Sequence, residues 1–402
     1  MNSSSPAVLT LLGLLLTAGA QAPQGQQPDA PYFEAREQLS EYHGPGRDDP
    51  IPGDLTEIRI GYFGPSDPAD PVAGDLWLAA QTAIEEINAA GGYEGLPFRL
   101  LPAWSADPWG SGIRQVTQLV YHDQVWALIG SIDGPSTHLA EQVVAKARLT
   151  LINPGSTDKT VNLANVPWMF SCLPGEHLIV PALVDELLQG SLHRSYVLIS
   201  GIDHDSRVFT EALLQELGRR GSSPRLHLQF SARAPGSFDT LSAIQDETVS
   251  AVIVAADPFE SAQIVRYLSS LFQGQLFGGP SFGRGPFLQR AGTAAEGAIF
   301  PLPASIRQPS RFSEEFQRLH GRLPDFATLQ TYDAVHLLAQ AIRAAGLNRA
   351  RIRDAVREGI PWYGVNGEIN WDPTGQNRRP PILHRIRDGQ IEALALQTGT
   401  TE

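Results

Sequence analysis

The fold is decided by the stretch Val125-Trp126-Ala127-Leu128-Ile129-Gly130, Ser131-Ile132-Asp133-Gly134-Pro135-Ser136-Thr137, a helical segment, and then Leu151-Ile152-Asn153-Pro154-Gly155-Ser156-Thr157. Two short apolar runs each end in a cluster of Gly, Ser and Thr. An apolar run of this length, bounded by turn residues and followed by a helical pattern, reads as a buried parallel strand of an α/β domain. In such sheets ligands gather beyond the carboxyl ends of the strands. Hydroxyls and the backbone N–H groups of helix N-termini suit a carboxylate or another small polar group there. Ser and Thr also serve simply as helix N-caps. Two such clusters in succession, each followed by a helix, favour a shared site.

The same alternation extends in both directions. Ile58 to Phe63 reads as a strand, and Gly74 to Ala90 as a helix stopped by Gly91-Gly92. Leu96 to Leu101 is a second strand, and a helix near Ile113 to Tyr121 follows a loop holding Trp104, Asp107 and Trp109. After Gly175 the pattern restarts. Helices are expected at 175–189, 207–219 and 259–271, with strands at Tyr196–Ile199, Leu226–Leu228, Val249–Ala255, Leu276-Phe277 and Gly297–Phe300. Two βα series predict two lobes with a cleft between them. Further on come helices at Ala327–Ala345 and Arg349–Glu358, then strand-like stretches at Gly367–Asp372 and Ile382–Ile386.

Composition narrows the function classes. A chain of 402 residues with 42% hydrophobic and 18% charged residues has the balance of a packed globular protein of two or three domains. The net charge is −13 and the only lysines are Lys146 and Lys159, so no basic stripe offers itself to nucleic acid. A single cysteine, Cys172, excludes an internal disulfide and a thiolate metal cage. Ala7 to Leu16 is a short apolar run followed by small residues around Ala20, which predicts a secretory signal peptide over residues 1–20. No later stretch is long and apolar enough to span a bilayer. Residues 21–56, rich in Pro and Gly, read as an N-terminal extension lying on the surface, with one or two helical turns between Tyr32 and Tyr42, and residues 396–402 as a tail.

Several segments together resemble one family, the periplasmic solute-binding proteins of the Leu/Ile/Val-binding type that serve ABC importers. Ile60-Gly61-Tyr62-Phe63-Gly64-Pro65 resembles its opening strand and turn. Ala83-Ile84-Glu85-Glu86-Ile87-Asn88-Ala89-Ala90-Gly91-Gly92 resembles its first helix. The two strand ends quoted above, Tyr332-Asp333-Ala334-Val335 and the closing Gly367 to Gly375 segment follow in the family's order. The resemblance covers about Glu57 to Ala395. It implies two Rossmann-like lobes with parallel sheets, a type I periplasmic binding fold, closing on a ligand about a hinge of three crossovers near Cys172, Leu302 and Gly364. The lobes are then residues 57–172 with 303–364, and 173–302 with 365–395. It also implies a small polar ligand such as an amino acid or a related acid or amide, a membrane permease as partner, an extracytoplasmic location, no cofactor and no enzymatic activity. The alternative is a receptor-type sensor of the same fold that signals to a membrane partner; an enzyme on this scaffold lacks a visible catalytic constellation.

The family's carboxylate-holding positions correspond to Gly134 and Thr157, with Ser136, Gly155 and Ser156 as neighbouring donors. Its second-lobe aromatic positions fall near Ser206 and Asp257, and the acid that pairs the ligand's ammonium falls at Ser281. Tyr62 and Trp109 are expected to border the cleft as an aromatic wall. Ser281 carries no charge, and an unpaired buried ammonium is costly. The ligand is therefore expected to lack an ammonium unless Asp133 or Asp257 substitutes. Asp203-His204-Asp205 alternates like a metal cluster, but such residues in a βα turn more often cap the next helix, and no metal is expected.

Overall fold

The structure, a computed structural model, describes residues 41–189, 195–302 and 310–394. The expected signal peptide, most of the extension and the C-terminal tail lie outside the described residues. The strands are β1 Ile58–Phe63, β2 Phe98–Ala103, β3 Ala127–Gly130, β4 Thr150–Asn153, β5 Met169–Ser171, β6 Tyr196–Ser200, β7 Leu226–Gln229, β8 Ala251–Ala255, β9 Gln275–Gly278, β10 Ile299–Leu302, β11 Trp362–Gly364, β12 Gly367–Ile369, β13 Ile382–Arg387 and β14 Gln390–Ala393. The helices are α1 Gly74–Ala89, α2 Ile113–Thr117, α3 Gly134–Ala147, α4 Thr160–Leu163, α5 Glu176–Gln189, α6 His204–Arg219, α7 Ser237–Leu241, α8 Pro258–Leu268, α9 Gly285–Ala291, α10 Arg311–His320, α11 Phe326–Ala345 and α12 Arg349–Glu358.

The strands form two main sheets. The first runs β2-β1-β3-β4-β5, all parallel, and the second runs β14-β13-β10-β9-β8-β6-β7, parallel except that β13 runs antiparallel to both β10 and β14. β3, β4 and β8 are buried along their whole length, which is why they read as unbroken apolar runs. The first sheet is covered on one face by α1, α11 and α12, where Ile60, Ile129 and Ile152 meet Ala83, Leu338 and Ile352. Leu128 and Leu151 face the other way, onto α3. The second sheet is sandwiched between α5 with α6 and α8 with α9. This is the two-lobed Rossmann-like architecture of alternating βα units.

The chain leaves the first sheet after β5 and enters α5, close to the expected crossover at Cys172. It returns from the second sheet after β10. The third passage differs from the sequence reading. Gly364 sits inside the small β11–β12 hairpin, and Ile369 and Trp371 beyond it still belong to the first lobe's core. Ser171 pairs with Gln376, so the chain crosses only between there and β13. The physical reason is Trp371, whose indole packs on Phe170 and donates to the Val356 carbonyl, holding the segment to the first lobe. Residues 41–56 lie on that same lobe: Tyr42 packs on Trp168, and Asn348 donates to the Gly46 carbonyl.

Candidate functional site

A cleft of about 590 Å³ opens between the lobes at the carboxyl ends of the strands. From the first lobe it is lined by Ile132 and Asp133 after β3 and by Gly155, Ser156 and Thr157 after β4. From the second lobe come Asp203, Asp205 and Ser206 after β6, Asp257 to Glu260 after β8, and Pro280, Ser281 and Arg284 after β9. Phe209, Phe259 and Phe326 supply its apolar surface.

The local chemistry of the first-lobe rim differs from the sequence expectation. Several of the donors expected to grip a ligand anion are engaged by the protein itself. Gly134 N–H donates to the carboxylate of Asp205, at 3.0 and 3.2 Å from its two oxygens. Gly155 and Ser156 N–H both donate to Asn153 Oδ1, at 3.0 and 2.9 Å. Ser136 is fully buried, and its N–H donates to Asp133 Oδ1 at 2.9 Å as part of the α3 cap. The Thr157 hydroxyl donates to Glu176 Oε1 at 2.9 Å. Burial, reinforced by the charge of Asp158, raises the Glu176 carboxyl to about 7.

The two aromatic residues expected at the cleft stand elsewhere. Tyr62 shares the face of β1 that carries Ile58 and Ile60, so it enters the core and packs on Trp77 with ring centroids 5.1 Å apart. Trp109 rides a helical turn at Pro108–Gly112, capped by Asp107 accepting from Gly110 N–H, and projects into solvent with 60% exposure. The apolar wall comes instead from Phe209, Phe259 and Phe326, two of them in the opening turns of helices that follow second-lobe strands.

The second-lobe rim is rich in acids. Asp203 caps α6 by accepting from Ser206 N–H at 3.0 Å, as expected of that position. Asp205, two residues on, points across the cleft to Gly134. Burial, then the charge of Asp133, pushes its carboxyl well above the usual range. Asp257 caps α8, accepting from Phe259 and Glu260 N–H at 2.7 and 3.1 Å. Burial raises the carboxyls of Asp257 and Glu260 too. Carboxylate oxygens of Asp203, Asp257 and Glu260 lie within 4.8 Å of one another. Against five lining acids (Asp133, Asp203, Asp205, Asp257 and Glu260) stand two cations, Arg233 and Arg284. Arg284 is held by Asp325 at 2.8 Å and donates to the Val72 carbonyl at 2.9 Å, which leaves Arg233 for a ligand.

Sequence reasoning placed Asp133, Gly155, Ser156, Thr157, Ser206, Asp257 and Ser281 around this cleft, and they line it. It passed over Asp205, Glu260, Arg233 and the phenylalanines. Asp203 and Asp205 carried a signal, the alternation of acids in one βα turn, but only the packing of the two lobes shows that one caps a helix while the other crosses the cleft.

A family model described as "Periplasmic binding protein" matches residues 57–390. The "Amino acid binding protein" of Pseudomonas aeruginosa is 24% identical over 338 residues, covering 80% of this chain and 87% of that protein. Among solved structures, the branched-chain amino acid transporter substrate binding protein LivJ from Streptococcus pneumoniae, in complex with isoleucine, superposes with a TM-score of 0.75 at 20% identity, covering 84% of this chain and 99% of that one. A solute binding protein of an ABC transporter from R. palustris, in complex with benzoate, gives a TM-score of 0.74 at 14% identity, with 84% and 96% covered.

Proposed function

The chain belongs to the periplasmic binding protein family, and on that premise we propose that it captures a small solute carrying a protonated amino group between its lobes and hands it to an ABC importer. The family implies a binding protein rather than an enzyme, working outside the cytoplasm. The observation that carries the ligand class is the balance of groups around the cleft. The N–H groups of Gly134, Gly155 and Ser156 and the Thr157 hydroxyl are bonded internally, while five acidic side chains line the cavity. A buried cation requires such partners, and a ligand offering only acceptors would meet like charge. The expectation that the ligand lacks an ammonium applied only if neither Asp133 nor Asp257 took the place of the acid missing at Ser281; the branch proposed here is the other one, with Asp257 among the substitutes.

An amino acid with an apolar or aromatic side chain fits best. Its ammonium meets Asp203, Asp257 and Glu260, its carboxylate meets Arg233, and its body meets Phe209, Phe259 and Phe326. Delivery to a permease rests on the likeness to transporter substrate-binding proteins. Thermal-shift screening against amino acids, primary amines and aromatic acids tests the ligand class. A ligand at 100 times its dissociation constant stabilises by about 2.7 kcal/mol. Amino acids or amines should raise the midpoint and aromatic acids should not; the opposite pattern refutes the reading.

A further inference from the structure

Beside the cleft, three residues remote in sequence meet across the lobes. His138 lies one turn into α3, Asp158 follows β4, and His204 opens α6 in the other lobe. Asp158 Oδ2 is 3.2 Å from His138 Nε2 and 2.8 Å from His204 Nε2. The three ligand atoms lie within 4.8 Å of one another. The other oxygen of Asp158 is committed to Thr160, which donates both its N–H, at 2.9 Å, and its hydroxyl, at 2.6 Å. Oδ2 is thus fixed towards the two imidazoles, and Asp158 is only 2% exposed. On the far side of the first imidazole, Glu141 Oε2 stands 3.7 Å from His138 Nδ1.

We propose that His138, Asp158 and His204 form a zinc site that bridges the two lobes. The donor set suits the ion: zinc takes imidazole nitrogen and carboxylate oxygen, and three protein ligands leave a fourth position for water. The Glu141 carboxylate lies behind His138 Nδ1 at 3.7 Å, on the side from which an acid can orient a metal-binding imidazole. Because His204 belongs to the second lobe, the ion is bound fully only when the lobes are together. Zinc and a cleft ligand therefore favour the same closed form and strengthen each other's binding. The site is separate from the amine-binding cleft, so its test does not depend on the solute.

The experiment is calorimetric titration of untagged, chelator-stripped protein with zinc chloride, without solute. One zinc per chain is expected. The affinity should fall at least about tenfold in both His138→Ala and His204→Ala, and remain unchanged in His227→Ala, which removes a histidine on β7. Circular dichroism confirms that each variant is folded, and His204→Gln replaces His204→Ala if that one is not. No zinc uptake overturns the proposal. So does uptake that persists at full strength without His204, because the ion would then be held by one lobe alone.

Discussion

At Gly134 the backbone of the first lobe lies close against side chains of the second. A Cβ added there would stand 2.4 Å from Asp205 Oδ1, 2.6 Å from Asp158 Oδ2 and 3.0 Å from the His204 ring. Two of those three neighbours belong to the second lobe, so Gly134→Ala should hold the lobes apart while leaving the α3 helix intact. The expected outcome is solute binding weakened about tenfold or more, equivalent to about 1.4 kcal/mol, measured by calorimetry; unchanged affinity would show that closure does not bring these groups together. Glu176 gives a second test at this scale. Its carboxyl titrates near 7 in the fold and at 4.5 in the unfolded chain, chiefly because it is buried. The folded state therefore holds the proton more tightly. The stability this confers is fully present below pH 4.5 and is lost as pH rises through 7, by about 3 kcal/mol. Glu176→Gln stays neutral, so its urea-unfolding free energy should fall less between pH 5 and pH 8 than that of the parent. It carries a constant offset, because an amide nitrogen placed at Oε2 cannot accept from Lys159 N–H. Parallel pH profiles would contradict the assignment. Asp333, also raised by burial to about 7, contributes the same sign in both proteins and leaves a residual slope.

Among the elements, α11 ties the lobes at its N-terminus. Asp325 caps it through Thr328 N–H at 2.8 Å and also accepts from Arg284 Nε at 2.8 Å and from Gly285 N–H at 3.0 Å. Arg284 is 7% exposed. Asp325→Ala leaves that guanidinium buried without its carboxylate, which should cost about 3–5 kcal/mol in chemical denaturation; a loss below about 1 kcal/mol would mean that water or another acid replaces the partner. Much of the element order was legible in the sequence. Gly91-Gly92 ends α1 as read, and α12 spans Arg349–Glu358 as expected. The second strand sits two residues later than its apolar pattern suggested, because Asn88 clamps the Phe98 backbone from both sides and sets the register against Ile58. The three-residue strand β5 and the hairpin partner β14 were passed over, since neither is long enough to show a period. At the site, the strand-end clusters were legible as a location but not as a chemistry. Which donors are free depends on Asn153, Glu176 and Asp205, and Asp205 arrives from 71 residues away.

At the scale of the molecule, the proposed function calls for closure about the crossovers, favoured by a ligand that contacts both rims. Solution scattering should give a smaller radius of gyration with saturating L-phenylalanine than without, and an unchanged profile at proven saturation would count against a hinged binder. The chain's two cores are joined where Leu76, Phe326 and Ala327 of the first lobe pack among the second lobe's residues. The most direct test of the central claim, that the cleft selects a solute by its ammonium, is a set of calorimetric titrations with L-phenylalanine, phenethylamine and benzoate, in the parent and in Glu260→Gln. These probes share an aromatic body and differ in charge. The account predicts binding of the two amines, weakened in Glu260→Gln, and none of benzoate. Benzoate binding in the absence of amine binding would contradict it.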